Sequence, residues 1–269
     1  MKIESWKSMD KNNDIQTITS LKSDLKRIGI KEEMTLIVHS SLNSIGWVSG
    51  GALTLIQAIQ ETITNQGTLI MPSHSTDLSD PKDWINPKAN KNLWEIIRKD
   101  MPAFDPQITP TYGLGVVPEL FRTLPNVKRS NHPAYSFSAW GKEKDYILNN
   151  HSLNNGLGEE SPLARIYDLN GYVLLLGTDY DSNTSMHLSE HRVGVFPRTT
   201  EKSPVIYKNE KHWATYNEIE YDETNFIQIG SAFEKKQKIN TGMIGKAPSK
   251  LMNQKKLIDF TTENILRYS

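Results

Sequence analysis

The chain has 269 residues, enough to bury a substantial core in one large domain or two small ones. Lys plus Arg equals Asp plus Glu at 31 each, so no net field draws the protein toward nucleic acid or an anionic membrane. There is no cysteine, which excludes disulfides, zinc–thiolate centres and a cysteine nucleophile, and fits a reducing cytosol.

The opening stretch MKIESWKSMDKNNDIQ is polar and mixed in charge, without the apolar run of a signal peptide. No later segment approaches the ~20 apolar residues of a membrane span, so the expectation is a soluble cytoplasmic protein with neither membrane nor nucleic acid as partner. TITSLKSDLKRIGI has helical spacing, and MTLIVHSSL is an apolar strand ending in small polar residues. After the loop NSIGWVSGG, ALTLIQAIQETI reads as an amphipathic helix and GTLIMPSHS as a second buried strand. The polar, proline-bearing STDLSDPKDWINPKANKN reads as a long loop or lid. GLGVVPELFRTL is expected to be helical, SPLARIYDL opens with Pro in its first turn, and GYVLLLG is a third buried strand. SPVIYKNEKHWATYNEIEYD alternates as an antiparallel hairpin does, and SKLMNQKKLIDFTTENIL is expected to close the chain as a helix.

Buried strands interleaved with helices predict an α/β fold: three layers, α/β/α, around a mostly parallel or mixed sheet, with a small antiparallel addition. No repeat or low-complexity linker divides the sequence, so residues 1–269 are expected to form one domain. In such sheets the site gathers beyond the carboxyl ends of the strands, and HSSL, SHS and TDYDSNTSMH stand there.

The last of these runs into His187-Leu-Ser-Glu190-His191, the H-x-x-E-H pattern of inverted zinc proteases. With Thr184 as N-cap, His187, Glu190 and His191 would fall on one helical face. Three readings follow: a solvated helix end, a zinc-dependent hydrolase with two histidine ligands, or a metal-free acid–base site in which His187 moves a proton and a carboxylate orients it.

The segments HSSLNSIGWVSGGALTLIQAI, GTLIMPSHS, FDPQITPTYGLGVVPELFR, RSNHPAYSFSAWG, GEESPLARIYDLNGYVLLLG and DSNTSMHLSEH stand in the order and spacing of a known family. From about Leu21 to the C-terminal end, the chain resembles the aminoglycoside 3-N-acetyltransferases. The resemblance implies an acyltransferase that moves acetyl from acetyl-coenzyme A (acetyl-CoA) to the 3-amino group of aminoglycoside antibiotics, a resistance activity. It also implies a fold distinct from the common GNAT-type acetyltransferase superfamily, whose R/Q-x-x-G-x-G/A pyrophosphate loop is absent from this sequence. An acetyltransferase for another amine is the alternative within the family. By match to the family's T-x-x-H-x-x-E pattern, here Thr184, His187 and Glu190, His187 is the general base and Glu190 its orienting carboxylate, with no metal.

A polycationic acceptor calls for acidic residues. Asp179 and Asp181 follow a buried strand directly and Asp105 is a further candidate, with turn chemistry as the competing reading. For coenzyme A, the candidates are Ser40, Ser41 and Leu42 ahead of a glycine-rich loop, Ser73 and Ser75 at the next strand end, and Arg129 with Ser130 as phosphate contacts. His39, His74 and His132 lie beside these loops, and His39 is read as a packed core histidine. A homodimer is expected by analogy alone.

Overall fold

The computed structural model describes residues 15–268, so the N-terminal segment read for targeting lies almost wholly outside the described residues. Thr17 opens the first helix with a reciprocal cap: its hydroxyl accepts from Ser20 N while Ser20 Oγ accepts from Thr17 N. In chain order the elements are β1 (Ile15–Gln16), α1 (Ile18–Arg27), β2 (Thr35–Ser40), β3 (Trp47–Val48), α2 (Gly51–Ile63) and β4 (Thr68–Pro72). They continue with α3 (Trp94–Asp100), α4 (Val116–Arg122), β5 (Lys128–Arg129), β6 (Phe137–Gly141), α5 (Lys144–Leu148), α6 (Pro162–Asp168) and β7 (Tyr172–Leu176). The last set is α7 (His187–Val193), β8 (Arg198–Tyr207), β9 (Glu210–Ile219), α8 (Phe226–Lys236), β10 (Asn240–Ile244), β11 (Ala247–Asn253) and α9 (Gln254–Tyr268).

Seven strands form one mixed sheet in the order β10-β11-β7-β2-β4-β6-β5. Its centre, β7-β2-β4, is parallel, and the strands on either side run antiparallel to it. β8 and β9 form a separate antiparallel hairpin, as the alternating sequence predicts. The fold is therefore the expected α/β class, with the sheet mixed rather than mostly parallel.

Side-chain alternation splits the core into two faces. Leu36, Val38, Leu69, Met71, Leu174 and Leu176 pack with α1, α2 and α4 on one side. Ile37, Ile70, Val173 and Leu175, the intervening residues, pack with α5, α6, α8 and α9 on the other. Burial on both faces explains why these strands read as continuous apolar runs.

The closing helix begins later than its sequence suggests. Residues 249–253, expected to be helical, belong to β11, where Leu251 enters one core and Met252 the other. Neighbouring apolar residues aimed at opposite faces are the signature of a strand buried on both sides. The segment read as a long loop or lid does run without sheet or α-helix until α3, broken by 3₁₀ turns at Pro81–Asp83 and Lys91–Leu93.

The candidate active site

The three parallel strands end at one edge of the sheet, and the chain leaving β7 builds the site there. Gly177 turns it with φ +67°. Two 3₁₀ turns follow, Tyr180–Ser182 and Thr184–Met186, and α7 starts at His187. The expected Thr184 cap does not form: Asn183 caps the second 3₁₀ turn by accepting from Ser185 N, α7 follows from Met186 without a side-chain cap, and Thr184 borders the cleft.

His187 Nδ1 lies 2.6 Å from Glu190 Oε2. A carboxylate oxygen can only accept, so Nδ1 carries the proton and Nε2 is the nitrogen left to take another. Glu190 has no exposed surface and its second oxygen accepts from Asp222 N at 2.9 Å, while the His187 side chain keeps 15% exposure. The Tyr221 ring meets the imidazole edge-on at 4.8 Å and Phe226 flanks it at 5.0 Å. The imidazole is thus fixed in tautomer and orientation by a buried carboxyl and two aromatic rings, yet remains reachable.

His191 is turned to a different task. Its Nε2 is 2.9 Å from the Tyr221 hydroxyl, which donates to Glu218 at 2.6 Å, and burial pushes its pKa down to about 4. The two histidines of H-x-x-E-H hydrogen-bond to different groups, His187 to Glu190 and His191 to Tyr221, and share only the Tyr221 ring between them. Among the described residues no group of three or more His, Cys, Asp or Glu side chains is gathered to hold a metal ion.

His187 opens into a cleft of about 420 Å³ whose wall includes His39, Ser40, Thr178, Asp181, Thr184 and Glu223. Of the binding candidates read from sequence, Ser40 and Asp181 are brought together with His187 here. The others stand elsewhere. Asp179 pairs with Lys250 at 2.8 Å and receives Tyr180 N, and Asp105 accepts Gln107 N in a turn. Ser73 and Ser75 have no exposed surface. Arg129 is engaged inside the protein: its guanidinium donates to the carbonyls of Ser73 and Thr109 and to the hydroxyls of Ser75 and Ser136. Ser130 Oγ accepts from Phe137 N and contacts His151. Four of the five N–H groups of the guanidinium thus meet protein acceptors, which joins the chain after β4, the chain before β6 and the Thr109 loop. Ser41 Oγ accepts from Ser44, and Leu42 packs on the core beneath α2.

His39, expected to be an ordinary core histidine, is buried at 7% exposure but borders the cleft. His132 is the structural one: its Nδ1 accepts from Ala134 N and Tyr135 N. Thr178, Tyr221 and Glu223 escaped the sequence reading. Thr178 carried a weak signal, as it stands two residues past a buried strand, whereas Tyr221 and Glu223 come from the far side of the hairpin and carry none. A larger cavity, about 830 Å³, lies under the loop read as a lid, between Trp84, Met101 and Tyr112. It does not include the His187–Glu190 pair.

Fold and site together define an α/β protein with an imidazole–carboxyl pair at the carboxyl edge of a parallel sheet centre. Comparison with known proteins gives this class a family. Residues 37–265 match the family model described as aminoglycoside 3-N-acetyltransferase. The chain is 48% identical over 246 residues to the SPbeta prophage-derived aminoglycoside N(3')-acetyltransferase-like protein YokD of Bacillus subtilis, covering 91% of this chain and 90% of that one. The crystal structure of YokD superposes with a TM-score of 0.92 at 46% identity, covering 94% of both chains. Aminoglycoside N(3)-acetyltransferase III of Pseudomonas aeruginosa is 30% identical over 88% of each chain. AAC-IIIb, solved as a binary complex with CoASH, has a TM-score of 0.84 at 28% identity, covering 95% of this chain and 98% of that one. The chain belongs to the aminoglycoside 3-N-acetyltransferase family.

Proposed function

We propose that this protein transfers the acetyl group of acetyl-CoA to the 3-amino group of an aminoglycoside, conferring resistance, with His187 as general base. The observation that carries the reading is the 2.6 Å His187–Glu190 pair beside an open cleft, in a family with a member solved as a CoASH complex.

An ammonium group has no lone pair for attack, so the reacting amine must be neutral when its nitrogen meets the thioester carbonyl carbon. His187 Nε2 takes the proton released as the carbon–nitrogen bond forms. Glu190 holds Nδ1–H and stabilises the imidazolium that results. The tetrahedral intermediate then collapses, the carbon–sulfur bond breaks, and the departing thiolate recovers the proton from His187. Amine and acetyl-CoA become amide and CoASH, and His187 returns to its starting state.

Asp181 and Glu223 put two carboxylates on the cleft wall, which suits a cationic acceptor, and Ser40 lines the same cleft. We read the whole chain as one functional unit on this basis, since cleft residues come from its first strands and from the segment after the hairpin.

A thiol-release assay with acetyl-CoA against several aminoglycosides, amino sugars and small polyamines tests the reading. The expected result is CoASH release with at least one aminoglycoside, unchanged by a chelator. Release with only the non-aminoglycosides would reassign the acceptor, and chelator-sensitive hydrolysis without an amine would replace the reading altogether.

A further inference from the structure

Two buried polar atoms on the cleft wall have no hydrogen-bond partner: His39 Nε2 and Thr178 Oγ1. They are brought together by sheet register. In the parallel β2–β7 pair His39 stands opposite Leu175 and Ser40 opposite Leu176, and Ser41 N continues the ladder to Leu176 O at 2.9 Å. Thr178 lies two residues beyond Leu176, so both side chains leave neighbouring strands at the same end. The large majority of buried polar side-chain atoms in folded proteins are hydrogen-bonded. Two without a protein partner in one cleft mark the place of a ligand's acceptor atom.

The chemistry supplies that atom. When the amine attacks, negative charge develops on the thioester carbonyl oxygen and needs donors already aimed at it. Asp181 and Glu223 can only accept when ionised, and His187 is occupied with the proton of the amine. A neutral imidazole donates one N–H, and a threonine hydroxyl turns its proton toward whichever acceptor arrives. We propose that His39 and Thr178 form the oxyanion site, with His39 Nε2–H and Thr178 Oγ–H both donating to the carbonyl oxygen of the bound thioester and to the oxyanion it becomes. This rests on the acetyl-transfer reading above. Burial, reinforced by the nearby His187, pushes the His39 pKa down to about 3, so the ring stays uncharged and keeps a single N–H throughout the working pH range. A neutral ring also leaves the His187 imidazolium without a second positive charge beside it.

The test compares His39→Leu, which removes the donor, with His39→Asn, which keeps an amide N–H, and with Thr178→Val. In steady-state assays His39→Leu should lower kcat by roughly 10²–10³-fold, the loss typical of one oxyanion donor. The KM for acetyl-CoA should rise by no more than about tenfold, the scale of one neutral hydrogen bond to the ground-state carbonyl, and His39→Asn should recover part of the loss in kcat. Thr178→Val should act in the same direction. A calorimetric arm needs no amine: the ketone analogue acetonyl-CoA, which presents a carbonyl, is titrated beside CoASH, which has none. His39→Leu should weaken acetonyl-CoA binding by about three- to tenfold, the scale of one neutral hydrogen bond, and leave CoASH unchanged. Equal effects on both ligands, no effect on either, or an Asn variant as impaired as Leu would overturn the proposal. Selective loss of the ketone in an enzyme that acetylates no amine tested would uphold the oxyanion site and count against the acceptor instead.

Discussion

Glu190 shows how little freedom the proposed catalytic pair has: one oxygen takes His187 Nδ1–H and the other Asp222 N, with no surface exposed. Glu190→Gln preserves the shape but introduces an amide N–H₂. If that group faces Nδ1 it forces the imidazole proton onto Nε2, the nitrogen that must be empty. The expected result is a fall in kcat of roughly 10²–10⁴-fold, the range of a misplaced general base, with little change in either KM. Steady-state kinetics on the folded variant checks this, and a change confined to KM would assign Glu190 to binding. The sequence disclosed this pair because its geometry is local, three residues apart on one helix. It did not disclose the role of Arg129, whose four acceptors lie 7 to 56 residues away and become visible only once β4, β6 and the Thr109 loop are brought together. Nor did it separate His39 from a core histidine, since burial and cleft lining are compatible in one residue.

At the scale of elements, α7 has only seven residues, and it is aimed by the turn that precedes it. Gly177 leaves β7 in the left-handed region, and a Cβ there would stand 2.6 Å from Ser44 Cβ. Gly177→Ala combines backbone strain of about 1–2 kcal/mol with this overlap. The variant should unfold about 2–5 kcal/mol more easily and lose activity as Thr178 and His187 shift. Chemical denaturation with a parallel activity assay measures both, and an unchanged midpoint would show that the turn can relax. From the other side, the segment after β9 braces the pair with Tyr221 and Asp222. β2, β4 and β7 were legible as unbroken apolar runs, and the β8–β9 hairpin as an alternating one. β11 was not, because Leu251 and Met252 resemble the first turn of the helix that follows until the two-faced core is in place.

For the molecule as a whole, burial of histidines on the site side of the sheet links stability to pH. Desolvation pushes His39 and His74 down to about 3 and His151 and His191 to about 4, and holds His132 well below its ordinary value. Unfolded, these groups take protons as the pH falls through about 6.5, whereas the folded protein does not. Stability contributed by their neutral forms is therefore lost on acidification from about 6.5 toward 3, each net proton changing the slope by about 1.4 kcal/mol per pH unit. Glu218 opposes them: burial raises it to about 7, so its contribution is lost as pH rises from about 4.5 to 7. Glu201, which burial also raises, acts in the same sense as Glu218. Five histidines outweigh these two carboxyls below pH 6, and thermal midpoints should fall steeply there, with a shallower slope in His151→Gln; a flat profile from pH 7 to 5 would contradict this assignment. The same sheet that buries those rings leaves one imidazole open, and the account turns on it. The most direct measurement is kcat for His187→Ala with acetyl-CoA and the best acceptor, on protein shown to be folded. The account predicts a loss of roughly 10²–10⁴-fold with both KM values nearly unchanged. Acetyl transfer at the wild-type rate would contradict it.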